Sequence, residues 1–365
     1  MASTTQAEIA QRLGLSRSTV AAALNPHSPV KLRDETRQLV LAEAERLNYR
    51  PHRYAQIMRV GRSGVIGVYH FGGLHQVAAE RVWFASQAIQ RAGYQVLAND
   101  ASWNPEGVKA GCGAMIDARV EGVIIAGLND PMTVEEMKSL RDAKIPMVTL
   151  SGVEIPKTPQ IRGDAATAFE QLTRHLIRLG RRRLLLFFHL VHQGTTLWTG
   201  QERLDGFRAA LAAAGGRVVT RFSGSRRGLE GRAVGLELAM DRFDPFQVPR
   251  EILPSLLDDG PPPDAILCSN DDWAIGTLAV LRERGCRVPA DIAVTGYDNI
   301  SVGAYLDVPL TTVAQPSKAM AERAVELLLK KIRGGRVPTG PVKVGCELVI
   351  RESCGARLLR QKAGG

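Results

Sequence analysis

Residues 5–25 read TQAEIAQRLGLSRSTVAAALN, and this stretch decides what the N-terminal end folds into. Thr5-x-x-Glu8 has the form of a capping box, in which a threonine hydroxyl takes up a free amide of the first helical turn. Ile9, Ala10 and Leu13 follow at helical spacing, and Gly14 stops the helix. Ser16 then caps a second helix, about Arg17 to Leu24, that turns Val20 and Leu24 inward. Two short helices joined by a glycine turn make a helix-turn-helix, whose second helix lies in the DNA major groove with its N-terminal residues at the base edges. Here those residues are Arg17 and Ser18, and a guanidinium can read guanine bidentately. Helical hairpins are also ordinary bundle fragments, so the reading depends on what surrounds this one.

A third helix follows. Asp34 is expected to cap it, Val40, Ala44 and Leu47 to pack inward, and Tyr49-Arg50-Pro51 to end it, because proline disfavours helix in the residue before it. Residues 1–62 hold ten Lys or Arg against five Asp or Glu, half of the chain's net charge of +10. A merely solvated surface would not concentrate charge this way, and an anionic partner, nucleic acid first, fits it. Residues 1–50 are therefore read as an all-α DNA-binding headpiece. Residues 51–62, basic and faintly apolar, are read as a linker that is either a flexible tether or a hinge.

From Val65 the pattern changes. VIGVY (65–69), YQVLA, GVIIA and PMVTL are apolar strands separated by helical stretches at 77–92, 106–118 and 133–143. The cycle restarts after residue 162: helix 165–180, strand RLLLFF, helix 201–214, helix near 228–241, strand DAILCS, helix 272–285, strand IAVTGY. Such alternation predicts parallel, doubly wound sheets flanked by helices, and two blocks of it predict two lobes. Ligands of these sheets sit beyond the carboxyl ends of the strands, so a cleft between the lobes is the natural binding site. DRFDPFQVPREILPSLLDDGPPPD (241–264) is proline-rich and is read as an insertion.

The sequence has no P-loop, complete GxGxxG, HExxH or GxSxG. Five scattered cysteines lack Cys-x-x-Cys spacing and read as reduced thiols. His70, His75, His189 and His192 lie near strand ends without metal-ligand spacing, and the RRR run at 181–183 reads as a solvated lead into a strand. No enzyme activity, metal or cofactor is expected. Met1–Gln6 has neither the basic start nor the apolar stretch of a secretory signal, and no run suits a membrane helix. A cytoplasmic, nucleoid-associated protein with no membrane partner is expected.

EIAQRLGLSRSTVAAALN, followed by ETRQLVLAEAERLNYRP, closely resembles the headpiece of the LacI/GalR repressor family. The resemblance continues through RLDGFRAAL, DAILCSNDDWAIG, IAVTGYDN and PLTTVAQPSKAMAERAVELLL, over essentially the whole chain. It implies a periplasmic-binding-protein-like core at 63–356, with one lobe at about 63–161 and 314–341, the other at about 162–313 and 342–356, and a tail at 357–365. On the DNA side it implies Thr5, Ser16 and Arg37 among the contacting residues, Thr19 at a phosphate, Arg17, Ser18 and Ala22 at bases, and Asn25 closing the recognition helix. Ala21-Ala22 replaces the family's common Ser-Arg, so Ala22 would offer a methyl to thymine. In the linker the resemblance implies a hinge helix in the minor groove, with Met58 as an apolar wedge where the family has leucine, Ala55 one turn earlier and Arg53 near phosphate. In the core it implies that Arg203, Asn270 and Asp298 hydrogen-bond an effector, with Asp272 and Trp273 beside Asn270, and with Phe71 and Ser151 where relatives often carry polar or acidic residues.

The resemblance further implies a homodimer on a palindromic double-stranded operator, and repression governed by a small molecule. That effector is expected to be a carbohydrate that releases DNA; a purine-type corepressor that promotes binding is the alternative. A transport-type solute-binding protein and a sugar-modifying enzyme are rivals from other classes. The headpiece speaks against the first, and the missing nucleophile or acid/base pair against the second.

Overall fold

The computed structural model describes residues 5–24, 28, 30–49, 62–70, 76–100, 105–127, 135, 137–152, 154–192, 195–196, 198–223, 228–237, 244 and 246–356. Residues 1–63 and 64–365 are two separate compact units.

In the first unit, α1 (Gln6–Leu13), α2 (Arg17–Ala23) and α3 (Asp34–Arg46) enclose Ile9, Ala10, Val20, Ala23, Val40 and Ala44. The Thr5 hydroxyl accepts from the Glu8 amide and caps α1, and Gly14 ends it at φ 65°, a left-handed conformation that suits glycine. Asp34 departs from expectation. It is the first residue of α3 rather than its cap, the cap position is Arg33, and no side chain caps that end. Asp34 and Glu35 act instead through their charge in the first turn.

The second unit alternates strand and helix. Its first lobe has six parallel strands in the order β13-β5-β4-β3-β1-β2. These are β1 (Val65–His70), β2 (Gln95–Asp100), β3 (Gly122–Ala126), β4 (Met147–Leu150), β5 (Gln160–Gly163) and β13 (Pro341–Val344). The connecting helices are α4 (Gln76–Arg91), α5 (Pro105–Asp117) and α6 (Lys138–Asp142). Strands β1, β3 and β4 read as unbroken apolar runs because helices cover both faces. Ile66, Val68, Ile124 and Val148 pack toward α4 on one face, and Tyr69, Val123 and Ile125 pack toward Cys112 and Met115 of α5 on the other.

The second lobe has the strand order β11-β10-β6-β9-β8. Its strands are β6 (Arg183–His192), β8 (Arg217–Val218), β9 (Glu230–Glu237), β10 (Ala265–Cys268) and β11 (Ala293–Thr295), with β7 (Thr195–Thr196) antiparallel to the end of β6. Its helices are α7 (Ala165–Arg178), α8 (Trp198–Ala213), α9 (Gln247–Asp258) and α10 (Asp271–Glu283). After a 3-10 turn at Ser301–Ala304, β12 (Thr312–Ala314) pairs with β14 (Glu347–Val349), and α11 (Ser317–Ile332) packs on the first lobe beside α4.

Four expectations are corrected. The helix expected near 228–241 is strand β9, central enough to pair with both β6 and β8. Gly231 shows why: a Cβ there would lie 2.2 Å from Leu211 and 2.8 Å from Phe207, so the glycine lets α8 sit down on the strand. Consequently the 241–264 segment is no bare insertion. It carries α9, the crossover between β9 and β10, with Pro254 inside a helix whose Leu253 and Leu257 are buried. Third, β13 pairs with β5, so residues 342–344 belong to the first lobe's sheet and the chain recrosses at Gly345. Fourth, the RRR run is not simply solvated. Arg183 is buried, and Arg181 donates to the carbonyls of Asp264 and Pro289.

Candidate functional site

In the headpiece, the N-terminus of α2 is built around one hydroxyl. Ser16 Oγ accepts from the Thr19 amide at 3.0 Å and lies 2.7 Å from Ser18 Oγ and 2.8 Å from Thr19 Oγ1. This cluster fixes the start of the helix and leaves Arg17 and Ser18 exposed, as a base-reading end requires. Two expectations change here. Ala22 is buried at 7 % exposure, which leaves its methyl little surface to offer a thymine. Arg37 donates to the Ala23 carbonyl at 3.3 Å, so it braces the last turn of α2 from α3. Asn25, Arg53, Ala55 and Met58 lie outside the described residues, as does Phe71 in the core.

In the core, Ser151 directly follows β4, Asn270 stands two residues past β10 and Asp298 three past β11, so all three lie at the carboxyl ends of strands. Ser151, at φ 64°, is buried and tied by its amide to the Ile161 carbonyl. Asn270 is the N-cap of α10, its Oδ1 accepting from the Trp273 amide at 2.8 Å, and it is only partly buried. Asp272 is partly exposed beside it. Trp273 is not a free stacking platform: it is 1 % exposed and its ring packs on Phe187 at 4.8 Å, inside the lobe core. Arg203 comes from the second turn of α8. It donates to the Thr199 carbonyl and lies with its guanidinium 4.8 Å from the Tyr297 ring centre, a cation–π contact.

Asp298 takes a φ of 129°, a region that non-glycine residues rarely enter, so the surrounding bonds must hold it. They do so through Asp271, which the motif reading passed over. The Asp271 amide donates to the Tyr297 carbonyl, and its carboxylate accepts from the Ile300 amide at 2.8 Å and from Thr312 Oγ1 at 2.5 Å. The loop carrying Asp298 is thus pinned on both sides. Burial pushes the Asp271 carboxyl up to about 7, with the charge of Asp298 adding to the effect and the Thr312 and Ile300 bonds opposing it. Asp298 Oδ1 in turn accepts from Gln315 Nε2 at 2.5 Å, and Gln315 Oε1 accepts from Arg81 of α4 at 2.6 Å. Arg81, Asp271, Tyr297 and Gln315 are therefore site residues beyond those expected. Among them only Asp271, inside the Asn-Asp-Asp run at 270–272, left a visible mark in the sequence.

The lobes are also clasped by charge. Arg162 of β5 meets Glu202 of α8 at 3.0 Å, both side chains nearly buried, and Lys343 of β13 meets the same carboxylate at 2.8 Å. On another side Ser301 donates to Gln76 Oε1 at the start of α4. Among the described residues no three His, Cys, Asp or Glu side chains converge as metal ligands, and no helix is long and apolar enough to cross a membrane.

Residues 173–354 match the family described as a periplasmic binding protein-like domain. Residues 79–227 match periplasmic binding proteins and the sugar binding domain of the LacI family. Among curated proteins, the chain is 26 % identical over 353 residues to the HTH-type transcriptional repressor PurR of Pasteurella multocida, covering 96 % of this chain and 98 % of that protein. It is likewise 26 % identical over 353 residues to the HTH-type transcriptional repressor CytR of Escherichia coli K12, covering 96 % of each. Among solved structures, the lac repressor dimer bound to operator and the anti-inducer ONPF superposes with a TM-score of 0.78 at 24 % identity, over 97 % of this chain and 99 % of that one. The complex of the transcriptional regulator CelR with cellobiose gives 0.67 at 25 % identity, over 96 % and 99 %.

Proposed function

We propose that this chain, which belongs to the LacI family of transcriptional regulators, is a sequence-specific repressor whose hold on a palindromic operator is set by a carbohydrate-type effector in the cleft of its core. One observation carries the reading: a helix-turn-helix with an exposed Arg17-Ser18 end and a two-lobed cleft core occur in a single chain that aligns with PurR and CytR over 96 % of its length. The rest is chemistry. Arg17 and Ser18 read base edges and Thr19 a phosphate, while Ser16 and Thr5 set the helices that present them. Two headpieces of a dimer read two half-sites, which gives one short helix enough sequence to be specific.

In the cleft, Asn270, Asp272, Asp298, Arg203 and Ser151 offer donors and acceptors suited to hydroxyl groups, and the CelR–cellobiose complex is a neighbour of this type. An effector that touches both lobes changes how they close. It can shift DNA binding only if it binds the two closures unequally. The protein acts as a regulator in the cytosol, without chemistry of its own.

Removal of residues 1–62 tests the assignment. The full chain is expected to retard genomic DNA fragments at near-physiological salt, and the shortened chain is expected to lose that ability. Equal binding by both, or by neither in the presence of a metabolite mixture, would contradict it.

A further inference from the structure

The corner where the lobes join holds two arginines whose guanidinium groups are only partly bonded. Arg81 arrives from α4, is 8 % exposed, and spends one Nη on Gln315; its buried Nε meets no acceptor. Arg203 arrives from α8, lies against the Tyr297 ring, and also has a buried Nε without an acceptor. The two are tied to one place by Gly163. A Cβ built there would lie 3.4 Å from the Tyr297 hydroxyl and 3.5 Å from Gln315 Oε1, so the partners of both arginines meet at that glycine. Among the described residues neither arginine has a carboxylate at ion-pair distance; the acceptors each does have are Gln315 Oε1 and the Thr199 carbonyl. Asp298 bonds the Gln315 amide, whose oxygen bonds Arg81, and its charge acts on Arg81 through space. Both oxygens of the neighbouring Asp271 carboxyl already accept, from Thr312 and from Ile300. Unmet buried guanidinium donors are costly and mark a place for an acceptor.

We infer that this corner is an anion subsite, and that the effector carries one carboxylate or phosphate group, as a sugar acid or a sugar phosphate does, seated between Arg81 and Arg203. Guanidinium forks suit both groups, and a bound anion would meet the free donors of both arginines. The inference rests on the reading of the cleft as the effector site and names the chemical class that the site takes.

Thermal unfolding of the full chain tests it, with inorganic phosphate and acetate as probes, sodium chloride at matched ionic strength as the control, and glucose as a neutral sugar. The midpoint is expected to rise with phosphate or acetate concentration and not with chloride, and whichever anion acts identifies the group. Arg203→Gln is expected to weaken the apparent affinity about tenfold or more, the loss of a charge-assisted contact. Arg81→Met is expected to do the same, and either variant decides the matter if the other does not fold. No anion effect, or an effect that survives both substitutions, overturns the subsite. A core stabilised by glucose but not by the anions also overturns it while leaving the reading of the cleft as the effector site standing.

Discussion

Replacing Asp271 by asparagine changes how the stability of the core depends on pH. In the unfolded chain this carboxyl titrates near 3.8, and in the folded core burial raises it to about 7. Between those values the folded protein keeps a proton that the unfolded chain has lost, so stability falls as pH rises through the window and levels off above about 7. Three units of difference correspond to about 4 kcal/mol across the whole window, of which about 2–3 kcal/mol falls between pH 5 and 8. Asparagine has no proton to lose. Its Oδ1 can still accept from Ile300, and its amide can donate to Thr312 Oγ1, so the pinning of the 297–300 loop survives. Asp271→Asn is therefore expected to gain about 2–3 kcal/mol on the parent protein as pH goes from 5 to 8, whatever its offset at pH 5. Urea unfolding followed by circular dichroism at the two pH values measures this, since all other titrations cancel in the difference. An offset that stays the same at pH 5 and pH 8 would refute the buried, proton-holding role of Asp271.

Other substitutions probe the remaining parts. Glu202→Gln removes the charge that Arg162 and Lys343 share but leaves Arg162 its pair with Glu154 and Lys343 its contact with Asp164, so it is expected to cost about 1–2 kcal/mol in urea unfolding; a change below about 0.5 kcal/mol would show that the clasp contributes nothing. Ser16→Ala removes the hydroxyl that caps α2 and should lower headpiece stability by about 1 kcal/mol, read as an earlier thermal transition of that unit. Arg17→Ala should relax the preference at one position of each half-site by about 1–3 kcal/mol in competition binding. An unchanged preference would remove Arg17 as a base reader.

What the sequence disclosed depended on how locally each feature is encoded. The headpiece was legible because caps and stops are local: Thr5, Gly14 and Ser16 act within three or four residues. The central strands were legible because burial on both faces leaves unbroken apolar runs. Strand β9 was not, because its Gly231 serves a helix packed across it and its mixed polarity carries no strand alternation. Among site residues, Asn270 and Asp298 could be found because they sit at strand ends in recognisable strings. Arg81 and Gln315 pair across 234 residues with nothing local to announce them, and Asp271, though it stands in a legible Asn-Asp-Asp run, gives no local sign of its partner Thr312 41 residues on. Ala22 and Trp273 show the converse: a position in a motif does not say whether the side chain is reachable, and both are buried.

Selection of binding sites from random duplex DNA by the purified full chain, at fixed near-physiological salt and with and without a metabolite mixture, tests the central claim most directly. A palindrome of two half-sites around a central pyrimidine–purine step is expected, the step most easily opened by an apolar wedge. Recovery of no enriched sequence under either condition would contradict it.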